Sequence, residues 1–130
     1  MGRMESEERV RLRVFKIMLG EFEYIAVGRW KLTLEQAIKL LNLGSVGELL
    51  ELRAVEKVPD EEVFLRIGYV EVIFLTLHVL LPDRAAADAW ICKPNTAKLF
   101  GGRPAIEKMT SGKLEDLKAV RDYLGSQMFG

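Results

Sequence analysis

The chain has 130 residues, of which 49% are hydrophobic, and its 19 basic and 19 acidic residues give a formal net charge of zero. This length and apolar content predict one domain, or two closely packed subdomains, with a hydrophobic core. The balanced charge excludes a general electrostatic attraction to nucleic acid or membranes. The single cysteine, Cys92, excludes an internal disulfide framework and indicates a reducing, cytoplasmic compartment.

The segment from residue 9 to 27 fits two kinds of secondary structure. Val10, Leu12 and Val14 alternate with arginines, which is typical of a half-exposed strand. Val10, Val14, Ile17 and Phe22 also follow the spacing of one helix face. Periodicity alone leaves both interpretations open.

Residues 33 to 53 are predicted to form two short helices joined by a turn at residues 42 to 45. Thr33 is a good N-cap, and Gln36 occupies the capping-box position three residues later. Between Lys31 and Val58 there are four basic and four acidic residues. Because non-specific DNA affinity depends on several Lys or Arg contacts to phosphates, this balance favours a hairpin kept for packing or dimerisation.

The segment Val63–Leu81 is apolar enough to suggest a membrane span. Arg66, Glu71 and His78 interrupt it, and each would be costly at bilayer depth. Its apolar residues cover most faces of a helix, which predicts a central helix that is buried or covered by a second subunit. We therefore expect a homo-oligomer and no membrane insertion. His78 is expected to be a partly buried, hydrogen-bonded histidine.

A compact corner is predicted between Trp90 and Pro104. Pro94 should end the preceding helix, and Asn95 favours a cap or an Asx turn. One of the glycines at 101 and 102 can supply a positive φ, and Pro104 suits the first turn of the next helix.

The last predicted helix runs from Leu114 to Leu124. Gly125 and Ser126 are expected to end it and to leave residues 127–130 outside the helix. Such an apolar tip either packs back on its own core or is offered to a partner.

Catalytic chemistry finds little support in the sequence. No Cys/His cluster has zinc spacing, and the paired glycines lack the context of a phosphate-binding loop. Acidic clusters stand at predicted helix starts, where they favour the helix dipole. We expect no catalytic residue, no metal site and no cofactor, and hence no enzyme.

The order of these elements resembles the C-terminal toxin-binding domain of Xre/MbcA/ParS-type antitoxins. The pattern is an apolar helix, an acidic turn, a short helix ending near a Trp, Pro-Asn, a glycine pair, a Pro, a Thr-to-Gly step, a last helix and an apolar tip. The corresponding segments are Val63–Leu81, Pro82-Asp83, Ala85–Ile91, Pro94-Asn95, Leu99–Gly102, Pro104, Thr110–Gly112, Leu114–Leu124 and Met128-Phe129. Phe100 departs from the pattern, because the family commonly has Leu directly before the glycines.

The resemblance implies an all-α fold in which two halves share one core around the long apolar helix. Residues 1–58 would form an N-terminal extension and a degenerate helix–turn–helix, and residues 59–130 the toxin-binding part. It also favours helix over strand before residue 27. The implied function is that of a type II antitoxin, which neutralises a RES-domain, NAD-consuming toxin by blocking its active site.

Two groups of site residues follow from the resemblance. The expected toxin contacts are Lys93, Arg103, Lys108, Arg121, Met128, Phe129 and Gly130. The residues expected to position the surface that carries these contacts are Trp90, Pro94, Asn95, Gly101, Gly102 and Pro104.

The alternative functions are a DNA-binding repressor, which could autoregulate its operon, and an orphan helical adaptor. Any operator binding is expected to be weak and to occur in the complex.

Overall fold

The computed structural model describes residues 3–54 and 58–129. Over these residues the chain is helical, without a strand beyond an isolated bridge between Pro94 and Pro104. The elements are α1 (Arg3–Glu23), a π-helical turn (Tyr24–Arg29), α2 (Leu34–Leu40), α3 (Val46–Ala54), α4 (Glu61–Leu80), α5 (Arg84–Ala89), a 3₁₀ turn (Trp90–Cys92), α6 (Ala105–Met109) and α7 (Leu114–Phe129). The all-α prediction is confirmed.

The N-terminal segment is helical, so the strand interpretation of residues 10–14 is wrong. Phe15, Leu19 and Phe22 form the buried face of α1, whereas Val10 and Val14 lie on an exposed side. The alternation with arginine covers only one and a half helical turns, while the helical spacing of buried residues continues to Phe22. The helix forms, but its buried face is not the predicted one, because Ile17 is also exposed and only Phe22 of the predicted face is buried.

The predicted hairpin forms with its capping box. The Thr33 hydroxyl accepts the Gln36 backbone N–H at 3.1 Å, and the Gln36 side-chain oxygen accepts the Thr33 N–H at 3.0 Å. Leu40 and Leu49 are buried on the side that faces the core. The hairpin thus packs on the rest of the fold through its apolar face.

The helix α4 is the centre of the fold and packs against both α1 and α7. Ile67, Val70, Ile73 and Leu77 are buried. Among the described residues, only α4 is long and apolar enough to span a membrane. Its buried face packs against the rest of the chain, as expected for a core helix. The prediction of a central helix is confirmed, but a second face remains exposed.

Arg66 lies inside this core, with 1% of its surface exposed. Its guanidinium donates to the carbonyl of Gly112 at 2.7 Å, to the carbonyl of Leu40 at 3.4 Å and to the Glu62 carboxylate at 3.1 Å. The side chain therefore joins the end of α2, the turn before α7 and α4 itself.

Arg29 forms a second connection between distant parts of the chain. Its guanidinium donates to both carboxylate oxygens of Asp88 at 3.0 and 3.2 Å, and it lies 2.9 Å from Nε2 of His78. Nδ1 of His78 lies 2.8 Å from the Phe74 carbonyl, which is an acceptor only. Nδ1 therefore donates to this carbonyl, and Nε2 lies beside both Arg29 and Asp88, 3.2 Å from Oδ1 of the carboxylate. The prediction of a partly buried, hydrogen-bonded His78 is confirmed.

Glu71 and Glu21 lie in the groove between α4 and α1. Burial, followed by the hydrogen bond and the charge of Glu21, raises the pKa of the Glu71 carboxyl above its ordinary value of 4.5. One of its oxygens, Oε1, is buried and has no hydrogen-bond partner. The protonated form of Glu71 is therefore the form that this groove favours.

Replacing Arg66 by Met should lower the free energy of unfolding by about 3 kcal/mol, because the carbonyls of Leu40 and Gly112 lose a buried donor. The measurement is urea denaturation near neutral pH. The control is Arg103→Met, which removes an exposed ion pair with Glu107 and should change the same quantity by less than about 0.5 kcal/mol. Equal effects of the two substitutions would contradict the role given to Arg66.

Replacing Glu71 by Gln should raise stability near neutral pH and leave it almost unchanged in acid. An acid whose pKa is raised by folding contributes stability that is complete below its ordinary pKa of 4.5 and is lost as the pH rises through the folded value. Gln keeps the shape and stays neutral. Melting temperatures measured across this range should converge at low pH. The exposed Glu51→Gln variant is the control and should follow the parent protein throughout.

Candidate functional site

Asn95 closes the turn between the 3₁₀ segment and α6. Its side-chain oxygen accepts the N–H of Ala97 at 2.9 Å, which makes the predicted Asx turn. Its backbone carbonyl accepts the N–H of Gly102 at 2.8 Å, and its own N–H donates to Arg103 at 3.3 Å. Pro94 and Pro104 face each other across the bridge beside it. The two ends of the turn are thus held together.

Both glycines of the turn have positive φ values, +58° for Gly101 and +88° for Gly102. The sequence predicted that one of them would do so. Two consecutive left-handed residues are needed because the chain reverses between Phe100 and Pro104 while Gly102 bonds back to Asn95. Pro104 caps α6 directly before Ala105, one position earlier than predicted.

Three aromatic rings pack together beneath the turn. The ring centroids of Trp90 and Phe100 are 5.8 Å apart, those of Phe100 and Tyr123 are 5.2 Å apart, and those of Trp90 and Tyr123 are 6.4 Å apart. Phe100, which departs from the expected Leu, is buried in this cluster. Tyr123 was missed at the sequence level, although its position between Val120 and Leu124 on an apolar helix face is a signal for it.

A groove of about 270 Å³ opens beside these rings. It lies between the end of α4, the 3₁₀ turn and the end of α7. Its lining residues are Leu77, Leu80, Leu81, Trp90, Tyr123, Leu124 and Gln127. Its side chains are apolar apart from Gln127 and the Tyr123 hydroxyl, so the groove suits a hydrophobic side chain that also carries a polar group.

The helix α7 continues through Gly125 and Ser126 to Phe129, so the predicted helix end at 125–126 is wrong. The Ser126 hydroxyl donates to the carbonyl of Tyr123 instead of competing with the helix. One interior glycine costs only about 1 kcal/mol, which the packing of α7 on α4 offsets.

Phe129 is 91% exposed and Met128 is 43% exposed, so the tip does not pack back on the core. Gly130 lies outside the described residues.

The part of the chain that carries this site is similar to a known protein domain. Residues 76–130 match the antitoxin Xre/MbcA/ParS C-terminal toxin-binding domain. The predicted resemblance is confirmed over these residues, which begin within α4 and include the turn, the aromatic cluster, the groove and α7.

A curated relative supports a relationship over more of the chain. An uncharacterized protein of Sinorhizobium fredii (strain NBRC 101917 / NGR234), y4oB, is 28% identical over 102 residues, which are 78% of this chain and 78% of the relative. The aligned length exceeds the toxin-binding domain, so the similarity extends into the N-terminal half. No solved structure gives a significant match.

The four basic residues predicted to contact a toxin fall into two groups. Lys93 and Arg103 are exposed on the two sides of the Asn95 turn, and Arg103 pairs with Glu107 at 3.0 Å. Lys108 and Arg121 are engaged within the molecule instead. Lys108 pairs with Asp116 at 3.4 Å, and the guanidinium of Arg121 lies 4.5 Å from the ring centre of Tyr69.

The Asp116 carboxyl has several partners besides Lys108. A hydrogen bond from Ser111 and the charges of Lys108 and Lys113 lower the pKa of Asp116 below its usual range. The pair joins α6 to the first turn of α7. Lys108 and Arg121 therefore fix the helices in place, while Lys93 and Arg103 lie open to solvent.

The chemistry of the site suits binding. It combines a groove lined by mainly apolar side chains, an exposed aromatic side chain and the exposed cations Lys93, Lys98 and Arg103 around the Asn95 turn. Within the described ranges, no group of His, Cys, Asp and Glu is arranged to hold a metal ion.

Two glycine substitutions test whether the turn requires glycine for its backbone conformation or only for lack of room for a side chain. A Cβ at Gly102 or at Gly125 would meet no atom within 4 Å. Because Gly102 is left-handed, Gly102→Ala should cost about 1–2 kcal/mol of unfolding free energy. Because Gly125 is helical, Gly125→Ala should gain about 0.5–1 kcal/mol. Denaturation curves of both variants give the comparison, and a stabilised Gly102→Ala would contradict the geometry of the turn.

Proposed function

We propose that the protein is the antitoxin of a type II toxin–antitoxin system and that it neutralises a RES-domain, NAD-consuming toxin by blocking its active site. The match of residues 76–130 to an antitoxin toxin-binding domain supports the antitoxin role. The RES-domain partner follows from the sequence resemblance. The exposed end of α7 is the observation that supports a blocking mechanism.

The proposed inhibition is steric. The helix α7 ends with Met128, which is 43% exposed, and Phe129, which is 91% exposed. A Phe side chain that moves from water into a protein cleft contributes roughly 1.5–3 kcal/mol, which is about ten- to a hundredfold in affinity. The tip would occupy the toxin's cleft, with Gly130 following it.

The Asn95 turn and the groove would form the docking part of the interface. The exposed Lys93 and Arg103 would pair with acidic groups of the toxin, and the groove beside Trp90 would accept an apolar side chain. Because Lys108 and Arg121 already have partners inside the molecule, they would act mainly by keeping α6 and α7 in position.

The N-terminal half is less suited to a repressor function. In α3, the basic residue Arg53 pairs with Glu23 at 2.8 Å, and Glu48 accepts the N–H of Gly44 at the turn. With Glu48, Glu51 and Arg53 as its charged residues, α3 carries more negative than positive charge and offers little attraction to DNA phosphates. Residues 1–58 would therefore serve packing and assembly, with operator binding restricted to the complex. In this proposal the protein is a cytoplasmic binding protein without catalytic activity.

Co-expression tests the partner and the mechanism together. A RES-domain toxin encoded beside this chain should deplete cellular NAD when it is expressed alone, and NAD and growth should recover when both proteins are present. The purified pair should migrate as one complex in gel filtration. A toxin that neither migrates with this chain nor loses its NAD consumption would refute the proposed function.

The tip can be tested without disturbing the fold. Phe129→Ala should weaken toxin binding about ten- to a hundredfold, while the melting temperature stays unchanged because the side chain is exposed. The matched control is Leu50→Ala, which truncates an exposed apolar residue on α3 and should alter neither quantity. Full inhibition by Phe129→Ala would place the blocking contact elsewhere on the domain.

A further inference from the structure

Arg29 lies where the N-terminal half of the chain meets the toxin-binding segment. It is the last residue of the π-helical turn Tyr24–Arg29, and such turns are rare and frequently lie at functional sites. Its guanidinium donates to both carboxylate oxygens of Asp88 and lies 4.9 Å from the centre of the Phe74 ring. The side chains of Arg29 and Asp88 are only 13% and 19% exposed. Because the pair is largely shielded from water, its two parallel bonds are strong and directional.

The carboxylate of this pair stands where its own helix disfavours it. Asp88 is the second-last residue of α5, and the C-terminal end of a helix carries partial negative charge. A helix of six residues is also too short to be stable in isolation. The buried side chain of α5 is that of Ala87, which offers a single methyl group to the core. The position of α5 therefore depends on contacts from outside, and the pair with Arg29 is a strong one.

The position of α5 in turn determines the position of Trp90. The 3₁₀ turn Trp90–Cys92 follows α5 without an intervening loop. Trp90 lines the groove and contacts the rings of Phe100 and Tyr123. A shift of α5 therefore moves one wall of the groove that is proposed to accept a side chain of the toxin.

The connection crosses the boundary of the toxin-binding segment. His78 and Asp88 lie within residues 76–130, which match the toxin-binding domain, whereas Arg29 lies in the N-terminal half. Nε2 of His78 lies 2.9 Å from the guanidinium and 3.2 Å from the carboxylate. Side chains from the π-helical turn, from α4 and from α5 thus meet at one point. The matched segment takes part of its geometry from a residue outside it.

We propose that Arg29 is a positioning residue of the toxin site, which fixes α5 through Asp88 and thereby sets the orientation of Trp90 in the groove. The identity of the partner rests on the proposed function, but the positioning itself is a property of the free chain. The N-terminal half then belongs to the toxin-binding unit through a side chain that acts at a distance from the toxin. Because coupling between two positions is reciprocal, a toxin that holds Trp90 also stabilises the pair of Arg29 with Asp88.

Fluorine NMR of the full chain labelled with fluorotryptophan tests the positioning without any toxin. The chain has two tryptophans, so two resonances are expected, and a Trp90→Phe variant assigns them. Arg29→Met should shift or broaden the resonance of Trp90, which is remote from residue 29 in the sequence. Asp88→Asn should do the same to the resonance of Trp30, which directly follows Arg29. A Trp90 resonance that Arg29→Met leaves at the parent position would overturn the proposal.

The matched control removes another ion pair of the N-terminal half. Arg53 pairs with Glu23 at 2.8 Å, and Arg53→Met should leave the Trp90 resonance unchanged. Arg29→Lys keeps the charge but binds a carboxylate at one point, so its Trp90 resonance should lie between those of the parent and of Arg29→Met. If Arg29→Met does not fold, Arg29→Lys decides, and a Trp90 resonance at the parent position in this variant would overturn the proposal.

Toxin affinity separates positioning from direct contact. Arg29→Met should weaken binding of the RES-domain toxin about tenfold, as substitutions along such connections do. The double variant with Asp88→Asn should lose no more affinity than Arg29→Met alone, because both residues act through one contact. Arg29→Met combined with Phe129→Ala should instead show the product of two separate losses. Losses that multiply for Arg29→Met and Asp88→Asn would overturn the proposal.

The two measurements also separate this proposal from the proposed function. A toxin that does not bind the parent chain refutes the proposed function, and the fluorine spectra of the free chain still decide whether Arg29 positions Trp90. A toxin that binds the parent and Arg29→Met equally well leaves the antitoxin role intact and overturns the positioning role of Arg29.

Discussion

The fold depends on one buried cation. A guanidinium can be withdrawn from water only where acceptors surround it, and Arg66 finds them on the end of α2, on α4 and at Gly112. Because these acceptors belong to three separate segments, one side chain fixes the N-terminal hairpin and the start of α7 relative to the central helix. The position of α7 in turn determines where its exposed end lies. The geometry of the candidate site thus begins with an interaction far from it in the sequence.

Local signals in the sequence predicted most of the helices and their ends. The capping box at Thr33, the Asx turn at Asn95 and the helical spacing of α4 each depend on neighbouring residues, so they can be identified without a structure. The end of α7 was mispredicted because Gly125 and Ser126 are weak helix breakers that packing overrides. The helix or turn preference of neighbouring residues determines where a helix ends only when tertiary contacts do not oppose it.

The contacts that assemble the site could not be predicted in this way. Arg29 and Asp88 are 59 residues apart, and nothing in their local sequence indicates that they pair. Arg66 was interpreted only as an interruption of an apolar run, because its acceptors are backbone carbonyls that any residue could provide. The sequence indicated which basic residues belong to the segment 76–130, but it did not separate the exposed Lys93 from Lys108, which pairs with Asp116.

The helical end of α7 would also lower the entropy cost of the proposed toxin binding. Had the last residues formed a flexible tail, ordering each backbone unit on binding would have cost about 1–2 kcal/mol. Because Ser126, Met128 and Phe129 already lie in the helix, that cost is met during folding and not during the encounter. In the proposed complex the tip would be presented in a preorganised conformation, and the binding energy of Phe129 would be available for holding the partner with a long residence time.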